Sequence, residues 1–446
     1  MKILVLGDDG RTHALVWKLF NSPHVQEVLC APGNGGTSQI APGFALDDLT
    51  DAAAIAHWAF REGVDVIVPA SSTYLEQGIT DESLGLQVGV FGPPRSAIRM
   101  EQSRCYAKEW LLKHNLPTAR GQPFDNVRTA EKYLAAQTLP VVLRADHPTE
   151  PEGVYHDRYQ ALKALHAFFE GPQRGHHDGV VIESALPGIS VSFSALTDGI
   201  TTLPLMITRH YDHLEEGDTG PLAPGMGAHT GISPYASRLT EYMQRHLMQP
   251  MVATLAQINQ AYWGVLGIDC MITQKGPLIT ALRCSFRDME AQVVLPRLEN
   301  DLVLLIQAVL NRRLSEVQPL QWRKEASVGL ALVAQGYPHH FPVGSRIEGL
   351  DRLEEGVLVF HHQTENPLGL KYVPRALQAS HGLSDLIRQP ASPRTAHITT
   401  SGGHVLTVVA LGATLNGARG RALINAERMT FAGRFFRGDI GSRAFT

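Results

Sequence analysis

Residues 2–20 read KILVLGDDGRTHALVWKLF, and this stretch decides the fold of the N-terminal part of the chain. The apolar run Lys2–Gly7 predicts a short buried strand that stops at a glycine. Thr12–Phe20 has apolar residues at helical spacing, so a helix is expected directly after the strand. Further apolar runs predict strands at Val25–Cys30, Val64–Val68 and Val88–Phe91. Strands that alternate with helices indicate a parallel sheet, in which ligands bind beyond the carboxyl ends of the strands.

The composition is that of a folded globular protein. The chain has 446 residues, of which 44% are apolar and 18% are charged. This length favours roughly three domains. The 39 basic and 43 acidic side chains give a formal net charge of −4. Because a protein that coats nucleic acid needs a basic excess, this balance argues against nucleic acid as a partner.

The apolar runs and the cysteines exclude several classes of protein. No run reaches the roughly 18–20 apolar residues that span a bilayer, so no membrane partner is expected. The first apolar stretch continues into Asp8–Arg11 without a small-residue cleavage site, so we expect no signal peptide. The 4 cysteines form no C-x-x-C pair, which is typical of a reduced compartment. We therefore expect a cytoplasmic protein.

Beyond the first sheet the predicted elements are mixed. Helices are predicted over Glu101–Asn115 and Thr240–Tyr262, and Gly264–Ile272 pairs with Leu278–Leu282 in a predicted hairpin. From Val328 onward most predicted elements are strands. The expected fold class is therefore α/β and α+β, with an N-terminal parallel-sheet domain, a larger mixed domain and a C-terminal α+β domain.

Several motifs occur in a fixed order along the chain. They are Leu6–Leu15 (LGDDGRTHAL), Ala31–Thr37 (APGNGGT), Asp218–Pro221 (DTGP), Gly225–Ala228 (GMGA) and Arg437–Ala444 (RGDIGSRA). They are similar to the motifs G-x-G-G-R-E-H-A, A-P-G-N-x-G-T, D-T-G-P-N-T-G-G-M-G-A and R-x-D-I-G-x-R-A of the phosphoribosylamine–glycine ligases, also called glycinamide ribonucleotide synthetases. The chain thus resembles this family, as a divergent member, over residues 2–444.

The resemblance implies the ATP-grasp fold and a reaction. The implied domains are a Rossmann-like domain at 1–102, an ATP-grasp domain at 103–325 with a mobile subdomain at about 120–192, and a C-terminal domain at 326–446. The ligases of this family join glycine to 5-phosphoribosylamine with ATP and magnesium, through a glycyl phosphate, in purine biosynthesis. Phosphoryl transfer of this kind needs groups that position the phosphates and neutralise their charge.

The nucleotide side departs from the family pattern. The resemblance implies Arg104, Arg144 and Glu183 as nucleotide-binding residues. The family's phosphate loop K-A-D-G-L-A-A-G-K-G-V is replaced by RADHPTEPEGV at residues 144–154, where Glu152 stands in place of the loop lysine. Prolines remove N–H donors, and the acidic side chains are expected to repel a triphosphate. The family's ribose-binding carboxylate falls at Ile189 or Ser190, so that contact is expected to be lost.

The metal side departs further. The family's magnesium ligands are the Glu and Asn of the strand I-E-F-N-C-R-F-G-D-P-E, and these positions are Ala281 and Arg283 here. Magnesium prefers oxygen ligands, whereas alanine offers none and arginine accepts no bonds. No metal site is therefore predicted at these positions. Arg283 could either bind an anion where the metal lies in the family or be an exposed strand residue.

The phosphoribosyl side keeps more of the family pattern. The implied substrate-binding residues are Gly7, Gly10, Arg11, Gly33, Asn34, Gly35, Thr37, Asp218, Thr219, Gly220 and Pro221. Asp218, Asp288 and Glu290 are the candidate catalytic residues, and Asp269, Asp288 and Glu290 are candidate replacement metal ligands. Glycines at strand ends are also common in ordinary turns, so these glycines could instead serve only to form turns.

The histidines give no strong signal. His176 with His177 and His339 with His340 lie in polar loops, where metal binding is not the expected role. His210 lies close to Asp212 and His213, and ordinary hydrogen bonding is the expected role of this cluster as well.

Three functions remain open from the sequence. The leading hypothesis is a divergent ligase homologue with a degraded ATP and magnesium site, which lacks the standard ligase activity, needs no cofactor, and binds a phosphoribosyl-like small molecule or a protein partner. The alternative is an active ATP-dependent carboxylate–amine ligase that uses ATP and magnesium. The third is a non-enzymatic subunit that stabilises or regulates another enzyme.

Overall fold

The computed structural model describes residues 1–44, 51–148, 152–170, 179–231, 234–258, 260, 262–371 and 397–443. Its α-helices are α1 (Gly10–Phe20), α2 (Ala52–Glu62), α3 (Ser72–Glu76), α4 (Ile79–Ser83), α5 (Arg95–Gln102), α6 (Arg104–Lys113), α7 (Val127–Ala135), α8 (Arg158–Glu170), α9 (Pro234–Met243), α10 (Gln249–Gln257), α11 (Glu290–Val294), α12 (Leu302–Leu310) and α13 (Leu415–Arg428).

The strands are β1 (Lys2–Gly7), β2 (Glu27–Pro32), β3 (Val66–Pro69), β4 (Gly89–Val90), β5 (Gly121–Phe124), β6 (Val141–Ala145), β7 (Glu152–Tyr155), β8 (Val180–Ser184), β9 (Ile189–Thr197), β10 (Thr202–Pro204), β11 (Thr208–Glu215), β12 (Thr219–Thr230), β13 (Gly264–Thr273), β14 (Gly276–Arg283), β15 (Ala326–Val333), β16 (Leu358–His361), β17 (Thr364–Glu365), β18 (Thr399–Thr400) and β19 (His404–Gly412).

The N-terminal strands form a parallel sheet in the order β2-β1-β3-β4. All of β1 is buried because apolar side chains cover both faces, as expected where helices pack on a parallel sheet. Asp9 starts α1 with a capping box, in which its side chain accepts from the backbone N–H of Thr12. Because β1 and β2 pair in parallel, their carboxyl ends lie side by side at one edge of the sheet.

A small antiparallel sheet, β5-β8-β6-β7, has a core of its own. Its buried side chains include Leu134 from α7, Leu143 from β6, Leu165 from α8 and Ile182 from β8. A separate apolar cluster of this kind can move or unfold independently of the rest of the chain.

The largest sheet has the order β14-β13-β9-β11-β12-β15-β19-β16, and β10 pairs with β9. The hairpin of β13 and β14 is confirmed, with Asp269 opposite Ala281. Strand β12 pairs with β15 over Gly227–Thr230 and Ser327–Leu330. The C-terminal strands therefore extend the sheet of the middle part of the chain rather than form a sheet apart.

Several predicted elements have different bounds. The predicted helix Glu101–Asn115 is two helices, because extended Ser103 accepts a hydrogen bond from Tyr106 N–H and caps α6. The predicted helix Thr240–Tyr262 starts earlier and ends at Gln257, with a π-helical turn at Gln244–Met248. Strands β11 and β12 were not predicted, since their polar and glycine-rich sequences have no alternating apolar pattern.

Within the described residues, no helix is both long enough and apolar enough to cross a membrane.

Candidate active site

A cleft of about 620 Å³ lies between the small antiparallel sheet and the face of β9, β11, β13 and β14. Helix α6 and the loops after β14 and β11 complete its walls. The cleft is lined by Arg104, Lys108, Arg144, Glu152 and Glu183 towards one end, by Asp269, Ala281, Arg283 and Arg287 in the centre, and by Arg11, Asp212, Asp218, Gly225 and Asp288 towards the other.

The first end is a network of buried ion pairs. Lys108 Nζ lies 2.7 Å from Glu183 Oε1, and both side chains are almost fully buried. Arg144 Nη1 lies 3.6 Å from Glu183 Oε2 and donates to the carbonyl of Thr280 at 2.7 Å. Burial lowers the pKa of Lys108, although Glu183 opposes this shift. The predicted nucleotide-binding residues Arg144 and Glu183 are thus brought together, with Lys108 as a partner that the sequence did not single out.

Glu152 pairs with two arginines of the cleft, whereas the sequence predicted only that its charge repels a triphosphate. Its Oε2 lies 3.3 Å from both Arg104 Nη2 and Arg144 Nε. Arg104 also donates to the carbonyls of Ala145 and Pro148 at 2.9 and 3.0 Å. The carboxylate therefore neutralises the two arginines that the resemblance assigns to the phosphates. Residues 149–151 of the replaced phosphate loop, which include Glu150 and Pro151, lie outside the described residues.

The centre of the cleft contains Arg283 in place of a metal ligand. Because Asp269 pairs with Ala281 and Gly267 pairs with Arg283, the side chains of 269, 281 and 283 share one face of the hairpin. Arg283 donates from Nε and Nη2 to Asp269 Oδ2 at 2.9 and 2.6 Å. Its side chain is only 28% exposed. Of the two expectations for Arg283, the exposed strand residue is wrong, and the guanidinium lies inside the cleft.

A second guanidinium continues this network. Arg287 occupies the position of the glycine in the family's R-F-G-D segment, and it was not among the residues predicted from the sequence. Its Nη2 donates to Asp212 Oδ2 at 2.6 Å, and its Nη1 lies 3.4 Å from Asp269 Oδ1. Burial opposes ionisation of Asp269, but Arg283 and Arg287 outweigh it and hold its pKa well below the usual range.

These residues do not fit a magnesium ion at the family's ligand positions. Ala281 has no ligand atom, Arg283 presents a permanent cation, and Asp269 already has a guanidinium on each oxygen. Magnesium requires several oxygen ligands in near-octahedral geometry. Asp269, a candidate replacement ligand, is therefore engaged by arginines instead.

The loop after β2 is fastened by its own side chains. Asn34 Oδ1 accepts from the backbone N–H of Gly36 and Thr37 at 2.9 and 3.0 Å. Its Nδ2 donates to the carbonyls of Asp8 and His361 at 2.9 and 2.8 Å. The predicted substrate residues Asn34 and Thr37 are buried, and their polar atoms bind protein.

The glycines of this region allow close approach of the backbone. Gly33 has a φ of +73° and donates to the carbonyl of Gly7 at 2.9 Å. A Cβ atom at Gly35 would lie 2.8 Å from Thr364 Oγ1. The glycines thus let the loop pack against β1 and the C-terminal strands. Arg11 lies at the cleft, where Asp9 Oδ2 accepts from its Nε and Nη2 at 2.8 and 2.6 Å.

The second predicted substrate loop begins strand β12. Asp218 has a φ of +60° and accepts from Arg437 Nη2 at 2.9 Å. The Arg437 side chain is fully buried, while that of Asp218 is 41% exposed. Of the four predicted residues, Asp218 lines the cleft; Thr219, Gly220 and Pro221 are exposed residues of β12.

The other two catalytic candidates have contrasting positions. Glu290 is fully buried and accepts from Ser194 Oγ at 2.9 Å and from the N–H of Arg287 at 3.1 Å. Burial raises its pKa to about 7. Asp288 lines the cleft, and its side chain is 33% exposed. Asp288 is therefore the candidate that a bound molecule can reach.

Two histidines that the sequence analysis missed lie beside Asp288. His404 Nδ1 and His362 Nδ1 are 3.7 and 4.0 Å from Asp288 Oδ2. His362 directly follows β16, and His404 is the first residue of β19. Because these two strands pair antiparallel, the two histidines lie close together. Two adjacent histidines at a strand end, followed by a histidine at the start of the next long strand, are the signal that the sequence offered.

The histidine cluster that the sequence did single out makes ordinary hydrogen bonds. His210 Nε2 lies 2.8 Å from Ser192 Oγ, and His213 Nδ1 lies 3.1 Å from the carbonyl of Gly220. Burial, assisted by Arg287, lowers the pKa of His210 to about 3. His339 and His340 are exposed, and His176 with His177 falls outside the described residues.

Comparison with known proteins identifies similar chains along the full length. The chain matches models of the phosphoribosylglycinamide synthetase N domain over residues 1–101, the ATP-grasp (A) domain over 102–291 and the C domain over 327–443. The phosphoribosylamine–glycine ligase of Nostoc sp. is 34% identical over 99% of this chain and 99% of its own length. That of Brucella melitensis is 33% identical over 100% of this chain and 98% of its own.

The fold is similar to that of a solved structure. The crystal structure of the phosphoribosylamine–glycine ligase of Thermotoga maritima covers 99% of this chain and 100% of its own, with a TM-score of 0.81 at 23% identity. The three-domain architecture and the ATP-grasp fold expected from the sequence are thereby confirmed.

Proposed function

The chain belongs to the phosphoribosylglycinamide synthetase family, and on that premise we propose that it is an ADP-forming ligase that joins a carboxylate to a phosphoribosyl-bearing amine. Its relatives are named for glycine and phosphoribosylamine, which are therefore the proposed substrates, with ATP as the phosphoryl donor. The proposed product belongs to purine biosynthesis. Of the functions that the sequence left open, the full-length family match favours the active ligase over a homologue without ligase activity.

One observation supports this proposal above the others: a single cleft joins the two halves of the reaction. Its one end has the Lys108, Arg144 and Glu183 network, and its other end has Arg11 and Asp288 at the carboxyl edge of the parallel sheet. A ligase must hold an acyl phosphate and an amine in the same water-poor space, which replaces a bimolecular encounter by a positioned one.

The proposed roles follow from charge and position. Arg104 and Arg144 bind the phosphates of ATP, and Glu152 keeps both guanidinium groups in place when the nucleotide is absent. Arg283 and Arg287, whose charges are balanced by Asp269 and Asp212, supply guanidinium N–H donors at the centre, where the acyl phosphate forms. Phosphoryl transfer depends mainly on such positioning and charge neutralisation.

The ATP-grasp fold implies magnesium together with ATP, and this chain departs from that expectation. When bound, magnesium neutralises the phosphates and orients the transferred group. Because the side chains at positions 281 and 283 offer no oxygen ligand, we propose that arginine N–H groups bind phosphate oxygens that the metal binds in the relatives. The domain bounds 1–102, 103–325 and 326–446, with a mobile subdomain at about 120–192, are part of the same proposal.

The test is a coupled measurement of ADP and product. The purified protein is given ATP, glycine and 5-phosphoribosylamine generated in the assay, and ADP and glycinamide ribonucleotide are measured by mass spectrometry. We expect ADP formation that needs both substrates, a roughly 10²–10³-fold loss of kcat in Arg144→Gln, and no change in the exposed-site control Arg245→Gln. No substrate-dependent ADP at any concentration would contradict the proposal.

A second candidate function rests on the residues at positions 281, 283 and 152. A homologue that lost the ligase reaction but kept a phosphoribosyl-binding N-terminal domain is the hypothesis that those three residues favour. It predicts no ADP formation, together with a saturable rise in Tm on adding ribose 5-phosphate. A rise in Tm with ribose 5-phosphate, together with turnover of both substrates, would instead support the ligase.

A further inference from the structure

Asp288, His362 and His404 meet where the loop after β14 approaches strands β16 and β19. Each of them offers one ligand atom, and these atoms lie within 4.8 Å of one another. The imidazole rings are stacked with their centroids 3.6 Å apart and tilted by 18°. Both rings are buried, with side-chain exposures of 3% and 9%. Among the described residues, this is the one group of three such side chains that lies so close together.

The spacing of the cluster suits a small divalent transition metal. Zinc binds nitrogen and oxygen ligands at about 2.0–2.1 Å, so two ligands in tetrahedral geometry lie roughly 3.4 Å apart. Asp288 Oδ2 is 3.7 Å from His404 Nδ1 and 4.0 Å from His362 Nδ1. All three ligand atoms lie within 4.8 Å of one another. Because the two imidazole rings are stacked, they must also turn so that both nitrogens face one ion.

The surroundings leave space and charge for a cation. Gly225 has a φ of +81°, and a Cβ atom there would lie 3.2 Å from Asp288 Oδ2 and 3.3 Å from His404 Cε1. The absent side chain therefore opens the carboxylate to the cleft. Asp8 and Asp9 add negative charge near His362, which exceeds the positive charge of nearby Arg11.

Two polar atoms at the cluster lack hydrogen-bond partners among the described residues. They are His404 Nε2 and Gln292 Oε1, both buried. Gln292 Nε2 donates to Asp288 Oδ1 at 2.8 Å, which leaves Asp288 Oδ2 directed towards the imidazoles. The amide oxygen of Gln292 is of a chemical type that can serve as a fourth donor beside two imidazoles and a carboxylate.

One existing contact competes with a metal. The backbone N–H of Gly10 donates to His362 Nδ1 at 3.2 Å, and His362 Nε2 lies 2.7 Å from Thr407 Oγ1. A metal bound to Nδ1 would replace the hydrogen bond from Gly10 and leave the contact of Nε2 with Thr407 intact. Thr407 would then orient the imidazole ring, as outer hydrogen-bond partners do in known metal sites. The neutral Gly10 hydrogen bond is weak compared with a metal–imidazole bond.

We propose that Asp288, His362 and His404 form a binding site for a divalent transition metal of the zinc or cobalt type, distinct from the family's magnesium position at 281 and 283. Two imidazoles with one carboxylate favour such metals, whereas magnesium and calcium favour oxygen ligands throughout. The site opens on the cleft at Asp288, so a metal there could contact a bound carboxylate or phosphate.

The test uses metal alone and needs no nucleotide or substrate, so its result is separate from that of the ligase assay. The full-length protein, stripped with chelator and dialysed, is titrated with Zn²⁺ by calorimetry and with Co²⁺ by visible absorption. We expect one saturable site per chain, Co²⁺ bands typical of nitrogen ligands, and no displacement by excess Mg²⁺.

The variants His404→Gln and Asp288→Asn should weaken Zn²⁺ binding by more than about 100-fold, beyond the roughly 10–100-fold that the loss of outer partners costs. The matched control His340→Gln changes an exposed histidine and should leave binding unchanged. If Asp288→Asn fails to fold, the test relies on His404→Gln, because His404 Nε2 has no hydrogen bond to lose within the described chain. The proposal is overturned by the absence of saturable binding, by equal affinity in His404→Gln, or by loss of binding in the control.

Discussion

Arg283 determines what the centre of the cleft can bind. The resemblance places the family's magnesium ligands on this strand, whereas here a guanidinium occupies that face and binds Asp269 at 2.6 Å. Removing one partner of such a buried pair costs more than the pair contributes, because the remaining charge stays uncompensated. The network of Arg283, Arg287, Asp212 and Asp269 is therefore a coherent replacement rather than a single lost ligand.

Restoring both oxygen ligands should restore dependence on magnesium. In the double variant Ala281→Glu with Arg283→Asn, we expect ATP to bind about tenfold more tightly with Mg²⁺ than with EDTA, because a carboxylate and an amide oxygen then face the phosphates. The unaltered protein should bind ATP equally under both conditions. Calorimetric titration measures both affinities.

The single variant Arg283→Asn is the control, because it removes the guanidinium without adding a carboxylate. It should show no gain of affinity from Mg²⁺. A requirement for Mg²⁺ in the unaltered protein would show that the ion binds despite the arginines and would contradict the prediction.

At the scale of elements, the loop Gly33–Thr37 connects two parts of the chain that are distant in sequence. Asn34 links the end of β1, through Asp8, with the end of β16, through His361. Gly35 N–H also donates to the carbonyl of Thr364 at 2.8 Å. The loop Gly33–Thr37 thus joins the N-terminal sheet to the C-terminal strands, in addition to any part it has in substrate binding.

Asn34→Ala should destabilise this junction. The change leaves the N–H groups of Gly36 and Thr37 and the carbonyl of His361 without their partner, and buried unsatisfied groups cost about 1–3 kcal/mol. We expect a lower Tm by calorimetry and faster hydrogen exchange in β2 and β16. Gln26→Ala, at an exposed position just before β2, is the control and should leave both unchanged. Equal Tm values for the two variants would count against this role.

At the scale of the whole molecule, the apolar core is divided. The small antiparallel sheet has its own buried cluster, while one long sheet runs from β14 through β12 and β15 to β16. Strand β15 is buried along its whole length between β12 and β19. The C-terminal strands should therefore unfold together with the middle strands, and the small sheet should unfold separately.

Core truncations in the two regions should separate these units. Leu143→Ala removes a buried side chain of the small sheet, and Leu330→Ala removes one of the long sheet. Each change should cost about 2–5 kcal/mol in its own unit. We expect Leu143→Ala to accelerate hydrogen exchange in β6 and β8 but not in β13 or β15, and Leu330→Ala to do the reverse. Acceleration of both units in either variant would contradict the division.

Buried histidines should make the molecule labile in acid. Burial, with Arg287, lowers the pKa of His210 from 6.5 to about 3, and Asp212 and Asp269 oppose this shift only in part. Since the folded state then binds fewer protons than the unfolded chain between these pH values, stability is fully present above pH 6.5 and decreases as the pH falls towards 3.

His210→Gln should reduce this loss of stability. The amide can still bond Ser192 but cannot take up the proton, so the fall in Tm from neutral to acid pH should be smaller than in the unaltered protein. The slope removed is up to ~1.4 kcal/mol per pH unit. His339→Gln, at an exposed position, is the control, and the result would be negative if both variants gave parallel pH profiles.

The sequence by itself determined the strands and helices with a clear apolar period and the family, and it predicted the loss of the magnesium ligands. Lys2–Gly7 and the hairpin of β13 and β14 were predictable because local burial patterns specify them. Ala281 and Arg283 were identifiable because ligand chemistry depends on residue type alone. The polar strands β11 and β12 were not predictable, since their pairing partners rather than their own residues make them strands.

Only the tertiary structure decided which charges meet. It placed Arg283 on Asp269 and Glu152 between Arg104 and Arg144, and it brought His362 and His404 close to Asp288. These contacts join residues that are 8 to 116 positions apart, and their distances depend on sheet register and strand order. Such long-range geometry is fixed by packing of the whole chain, which no local sequence pattern encodes.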